Sequence, residues 1–242
     1  MNLEDFCERF QNLQDQQPDT SILLDVGKEL VQELLRDPAW FAEFLRNYVA
    51  DPAFLADPPA AVFDNEIKLY RSSDRSFTVL AYLWDRRGLC VVHDHSAWGL
   101  IGSFLRPLRE VKYRRLDDGQ VEGFAHLEPT SDLALQPGEV GIVLPLDKGI
   151  HQTGAAGDAL TISLGVYGRS IRQGYIHFFD PGRKRFRRAT TRLLFKKVLA
   201  LRALASLEEA LGKRLLTPSL LDSLPGDLVR EFRPHSSETS SR

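Results

Sequence analysis

The chain has 242 residues, 43% of them hydrophobic and 26% charged, and a formal net charge of -2. Those values fit a folded globular chain, exclude a wholly disordered one, and leave no global field to attract nucleic acid or an anionic membrane. The length suits one β-barrel of roughly 120 residues with helical additions better than two large domains.

The first 64 residues read as a helical layer. Leu3, Phe6, Phe10 and Leu13 keep helical spacing; Asp19-Thr20-Ser21 offers N-cap candidates ahead of Leu23, Val26, Leu30, Leu34 and Leu35. Asp37-Pro38 ends that helix. Trp40, Phe41, Phe44, Leu45 and Tyr48 stripe the next one, which Asp57-Pro58-Pro59 closes. The stripes are expected to cover one face of a barrel.

From Lys68 the period becomes two-fold, and residues 65–182 read as the barrel. Phe77 to Trp84 is a strongly β-prone run, Asp85-Arg86-Arg87-Gly88 a turn, and Leu89 to His95 the following strand. Further strands are expected at Leu100–Leu105, Val111–Leu116, Val121–Leu127 and Gly141–Leu144, separated by Pro107, Asp117-Asp118-Gly119, Pro129-Thr130-Ser131 and Pro137-Gly138. Many short strands between turn signals predict a mainly β jelly roll or sandwich. In Thr161–Tyr167, Ile162, Leu164 and Val166 share one face, Ser163, Gly165 and Tyr167 the other.

Beyond Asp180-Pro181-Gly182 the segment 183–233 is basic (Arg183, Lys184, Arg185, Arg187, Arg188, Arg192, Lys196, Lys197), then helical from about Thr190 to Leu211 and again over Pro218–Val229. The Ser-rich tail 234–242 is expected to be disordered. A contact of the basic block with nucleic acid or acidic lipid is not favoured, since its aromatic content is only Phe186 and Phe195 and the chain as a whole is not basic.

Cys7 and Cys90 lie far apart without CxxC spacing, so neither a disulfide scaffold nor a zinc ribbon is indicated and a reducing cytoplasm is expected. The N-terminus lacks the basic and apolar regions of a signal peptide, and no apolar run approaches the ~18 residues of a membrane span.

The chemistry concentrates in His93-Asp94-His95-Ser96-Ala97-Trp98-Gly99. Strand alternation turns His93 and His95 to one side and Asp94 to the other, where a hydrogen bond holding the strand is its expected role. A third imidazole, His151, follows the turns before the last barrel strands. Three such ligands suit a metal ion and leave positions open for substrate or oxygen. The same alternation puts Cys90 opposite His93, as a packed thiol and not a ligand. His126, His177 and His235 read as exposed or structural.

Together Phe77–Trp84, His93-Asp94-His95-Ser96-Ala97-Trp98-Gly99-Leu100-Ile101-Gly102, Ile150-His151-Gln152 and Ser163–Gly168 resemble the bacterial thiol dioxygenases, the cysteine and 3-mercaptopropionate dioxygenase family of cupins. The resemblance spans roughly residues 65–182. It implies a cupin barrel (double-stranded β-helix, or jelly roll) with N-terminal and C-terminal α-helical additions, and Fe(II) held by His93, His95 and His151. A small thiol and O2 would be the partners and a sulfinate the product. Three neutral ligands leave the iron's positive charge to attract a thiolate. Tyr167 matches the family tyrosine beside substrate and oxygen, and Ser163 the serine that begins its Ser-x-His-x-Tyr relay. Gly165 stands where the relay histidine would be, so the chain to Tyr167 is broken there. Trp98 and Gly99 stand where many cupins add a glutamate, and Trp98 either lines the pocket or fills the barrel end. Arg71 is the leading candidate for the carboxylate anchor, with Arg169 and Arg172 behind it. The alternative is a non-catalytic metal-binding cupin that senses a ligand or docks a partner, a reading favoured by the missing relay histidine.

Overall fold

The computed structural model describes residues 1–50, 62–63, 65–84, 88–172, 174–190 and 214–232, with single positions at 198, 201, 204, 208 and 212. It divides into two compact units, Met1–Arg172 with Ile176–Ala189, and Gln173–Tyr175 with Thr190–Arg242.

The first unit opens with α1 (Leu3–Asp15), α2 (Thr20–Leu35) and α3 (Ala39–Ala50). Asn2 caps α1, its Oδ1 accepting from Asp5 N at 2.8 Å. Asp19 precedes α2 without a side-chain cap bond. The buried stripe of α2 runs through Leu23, Leu24, Gly27, Leu30, Val31, Leu34 and Leu35, while Val26, expected inside, is exposed. Gly27 takes the inward position because a Cβ there would lie 2.9 Å from Leu100 and 3.0 Å from Phe10. In α3 only Phe41 is buried; Trp40, Phe44, Leu45 and Tyr48 pack partly buried on the same cluster.

Twelve strands follow: β1 (Glu66–Arg71), β2 (Phe77–Trp84), β3 (Gly88–Leu89), β4 (Val92–His93), β5 (Gly99–Leu105), β6 (Leu108–Arg115), β7 (Leu127–Leu135), β8 (Val140–Val143), β9 (His151–Ala155), β10 (Thr161–Gly168), β11 (Tyr175–Asp180) and β12 (Arg185–Thr190). One sheet has the order β1-β2-β10-β5-β8 and the other β12-β11-β4-β9-β6-β7, with β3 on β9. From β4 to β11 the chain alternates between the sheets, apart from the β6–β7 hairpin. That alternation is the double-stranded β-helix of a cupin, mainly β with helical additions, as expected. Ile162, Leu164 and Val166 turn outward into the cluster built by Phe6, Phe10, Leu24 and Val31, so the helices cover this sheet face and Ser163, Gly165 and Tyr167 face the barrel interior.

Three expectations are corrected. Val121–Leu127 is not a strand; β7 begins at Leu127 and runs through Pro129, which had read as a turn. The register slips where Lys112 pairs with Ser131 and Tyr113 with Pro129, and β7 is the outer strand of its sheet, two settings that tolerate a missing N–H. Leu89–His95 is not one strand: it breaks at Cys90-Val91, and His95 lies beyond the end of β4. The basic segment opens as β12, so the sheet continues past residue 182, with Arg185 and Arg187 outward and Ala189 buried.

In the second unit Val198 and Leu201 are helical and pack with Leu228, beside α4 (Pro218–Ser223) and α5 (Gly226–Phe232). Most of the helix expected over 190–211, the 85–87 part of the turn, Asp57-Pro58-Pro59 and the 234–242 tail lie outside the described residues. Among the described residues no helix is long and apolar enough to cross a membrane.

Candidate metal centre

His93 and His151 are directly opposed in the β4–β9 pair, and His95 follows two residues on. Asp94, fully buried, fixes the bend between the two histidines of the motif. It accepts from Arg172 Nη1 at 2.7 Å and from the His177 backbone N at 2.8 Å, and its own N–H donates to the His177 carbonyl. Burial pushes the Asp94 carboxyl up, but those hydrogen bonds and the Arg172 charge outweigh it and hold the group below the usual carboxylate range. Leu146 N donates to the His95 carbonyl at 2.7 Å and holds the far side of the bend.

The imidazoles meet through Nε2, with His93 3.1 Å from His95 and His95 2.8 Å from His151. Their outer nitrogens are occupied. His93 Nδ1–H donates to the Val91 carbonyl at 2.9 Å, and His151 Nδ1–H donates to Glu110 Oε1 at 2.7 Å. A carbonyl can only accept, which fixes the His93 tautomer, and the carboxylate does the same for His151. Both therefore aim Nε2 lone pairs inward. Burial, then the neighbouring His93 and His151, pushes His95 well below the ordinary imidazole value.

Lone pairs packed this closely repel unless a cation lies among them, and the three form the one group among the described residues whose donor atoms could hold a metal. With metal–nitrogen bonds of about 2.0–2.1 Å, nitrogens at right angles lie about 2.8–3.0 Å apart and those at the tetrahedral angle about 3.3–3.4 Å. The 2.8 Å His95–His151 spacing falls in the right-angle range, and the 3.1 Å His93–His95 spacing falls between the two.

Glu110, on β6, was not identified from sequence. It is 1% exposed beside His151, also 1%, with Lys112 Nζ at 3.6 Å from its other oxygen. Burial raises its carboxyl, but His151 and Lys112 together hold it below the usual range. It shares a strand face with the buried Leu108 but also with Lys112 and Arg114, so the sequence carried no signal that it turns inward.

The cavity beside the histidines is lined by Tyr82, Trp84, Cys90, Ser163, Tyr167 and Phe63, among others. Its free volume is about 10 Å³, room for one water-sized occupant. Tyr167 stacks on His95, with centroids 5.0 Å apart and planes at 13°. Ser163 Oγ accepts from Trp84 Nε1 at 3.0 Å. Phe63 closes against His93 at 4.9 Å between centroids.

Three expectations about side chains change. Cys90 does not face away: its Sγ lies 3.7 Å from His93 Nδ1, because the strand break cancels the alternation. Burial raises that thiol, but His93 and Thr153 more than reverse it, so it sits below its ordinary value. Trp98 is not among the described lining residues of the cavity; it packs with Phe10, centroids 6.1 Å apart, over Gly168 on the helical side of the sheet. Arg71 is exposed at the end of β1 and does not reach the cavity lining, while Arg172 serves Asp94 and Arg169 Nη2 donates to the Asp74 carbonyl. No arginine stands among the described lining residues.

No protein-family model matches the chain. Among solved structures it is similar to a cupin-like protein from Thermotoga maritima, with 15% identity over 47% of this chain and 74% of that one and a TM-score of 0.33. It is also similar to an RmlC-like cupin family protein with a double-stranded β-helix fold from Methanocaldococcus jannaschii, at 8% identity over 46% and 84% of the two chains and a TM-score of 0.33. A DMSP lyase is similar at 15% identity and a TM-score of 0.34, over 48% of this chain and about half, 52%, of that one.

Proposed function

We propose that the protein is a non-heme Fe(II)-dependent thiol dioxygenase that adds O2 to the sulfur of a small thiol of the cysteine or 3-mercaptopropionate type to give a sulfinate. The observation that carries this reading is the group of three converging histidines, Nε2 of His95 3.1 Å from that of His93 and 2.8 Å from that of His151, with Tyr167 stacked on the His95 ring. Three imidazoles holding an ion from one side would leave positions open for substrate and oxygen, as the facial ligand sets of non-heme iron oxygenases do. Fe(II) bound there would supply open positions for a thiolate and O2 and the electrons to activate oxygen. His93, His95 and His151 would hold it, and the Val91 carbonyl and Glu110 would keep the His93 and His151 rings oriented with Nε2 inward. Tyr167 supplies a hydroxyl at the cavity, and Ser163 holds Trp84 in the wall. Phe63, Trp84 and Ile101 shield the reacting sulfur from water.

The second reading is a metal-binding cupin that senses a ligand or binds a partner without turnover. It is favoured by the small free volume and by the lack of an arginine in the described lining, which leaves a substrate carboxylate without a bidentate donor. Anaerobic purification, metal quantification and Fe(II) reconstitution, followed by O2 uptake with cysteine, 3-mercaptopropionate and cysteamine, separate the two. One O2 consumed per sulfinate formed, lost in His151→Ala, supports the dioxygenase; stoichiometric metal without thiol-dependent uptake supports the sensor.

A further inference from the structure

The serine of the Ser163–Tyr167 run is engaged with Trp84, and Gly165 offers no side chain to link Ser163 to Tyr167. Tyr167 instead lies in a slot cut by two glycines. A Cβ on Gly165 would sit 2.5 Å from its Cε2 and 2.8 Å from its hydroxyl oxygen, and one on Gly99 2.8 Å from its Cδ1 and Cε1. The ring thus leans back along β10 towards Tyr82, which stands opposite Ser163 in the β2–β10 pair and opposite Glu66 in the β1–β2 pair. Tyr82 is 7% exposed, and the register sets it between Glu66 on one neighbouring strand and β10, which carries Tyr167, on the other. Three polar groups from three strands form one row ending at the cavity.

We propose that Glu66, Tyr82 and Tyr167 form a single hydrogen-bonded chain whose direction decides whether Tyr167 turns its proton or its lone pair towards the metal-side cavity. Tyr82 and Glu66 are positioning residues, and the inference rests on the three histidines holding a metal whose open positions face Tyr167. Each hydroxyl has one proton to give. When Glu66 is protonated it donates to Tyr82, Tyr82 donates to Tyr167, and the Tyr167 proton is left for a ligand in the cavity. When Glu66 is ionised it only accepts: Tyr82 turns its proton to Glu66, Tyr167 turns its own to Tyr82, and a lone pair faces the cavity. No O–H bond of either tyrosine breaks; the proton lost by Glu66 goes to solvent. Burial pushes Glu66 up, against the opposing pull of Lys68 on its own strand and Tyr82 across from it, to about 7. Tyr82 faces Tyr167, Glu66 and Cys90, and burial holds both tyrosines above the ordinary phenol value, so they stay neutral while Glu66 titrates.

The test uses the full chain loaded with Co(II) and titrated with azide, an anionic probe that accepts hydrogen bonds, followed by visible absorption from about pH 6 to about pH 8. Azide affinity is expected to fall about three- to tenfold with rising pH, the worth of one hydrogen bond. Tyr82→Phe and Glu66→Gln are each expected to bind Co(II) stoichiometrically and lose the step. A step that persists in both variants, or no step in the unaltered protein, overturns the proposal. O2 uptake with thiols by the Fe(II) protein is followed in parallel. An intact, Tyr82-dependent azide step without any uptake sinks the dioxygenase reading and leaves the chain standing.

Discussion

The Glu110 carboxylate receives the Nδ1 proton of His151 at 2.7 Å in a site where both side chains are almost wholly removed from solvent. The pair sets the tautomer of the one candidate ligand that comes from the second half of the barrel. Glu110→Ala frees that ring to rotate and to carry its proton on the wrong nitrogen, so metal affinity is expected to drop about 10- to 100-fold. Competition with a chromophoric chelator measures it. An unchanged affinity would show that His151 is oriented by packing alone.

Gly165 is occupied in space by another residue's ring. Restoring a histidine by Gly165→His is therefore expected to expel Tyr167 from its slot and not to rebuild a relay. The cost should be of the size of other overpacking substitutions, about 1–3 kcal/mol by urea denaturation. Gly165→Ala, which adds only the Cβ, should lose less. Equal stability of all three proteins would mean that Tyr167 has a second position of equal energy.

Asp94 links the histidine motif to Arg172 and His177. Asp94→Ala removes the acceptor that the Arg172 guanidinium and the His177 N–H share, and a loss of about 1–3 kcal/mol is expected, as for other buried hydrogen bonds to a charged group. Metal content after purification should fall with it, because the bend between His93 and His95 is no longer held. Full metal load in a destabilised protein would separate the two effects.

Cys7 is buried on the inner face of α1, and burial pushes its thiol up to about 12. The folded state keeps this proton longer than the unfolded chain does. Stability from the group is thus present below the unfolded thiol value of about 8.5 and is lost as pH rises from there towards the folded value. The urea midpoint of the protein should fall more steeply in mild alkali than that of Cys7→Ala, and Cys7 should resist alkylation at neutral pH. Parallel pH profiles for the two proteins would sink the assignment.

What could be read from the sequence was what depends on period and type. The helical stripes, β2 from Phe77 to Trp84 and the inward set Ser163, Gly165 and Tyr167 followed from spacing, because each lies within one continuous element. His93 and His95 converge as alternation implied, although β4 ends at His93 and the second ring is placed by Asp94 and Leu146. Alternation failed for Cys90 since the strand breaks immediately after it, and a count of residues carries no information across a break. Glu110, Tyr82 and Glu66 escaped notice for a different reason. Their roles arise from cross-strand pairing with residues far along the chain, and a single acid or tyrosine in an alternating strand looks the same facing water or facing a barrel interior. β12 was hidden by its arginines: the exposed Arg185 and Arg187 share a face with the buried Ala189, so no alternation of residue type marks the strand.

The slip in register at Pro129 reaches beyond the hairpin that contains it. β7 is an outer strand, and an outer strand normally offers a row of unpaired amides that a second chain can join. Here the row is interrupted by a residue without an amide hydrogen, and the flanking positions carry the exposed Glu128 and Asp132. Two copies meeting along this edge find no continuous ladder to extend. Sheet growth from barrel to barrel, the route to swapped or fibrous assemblies, is closed off on this side by one proline.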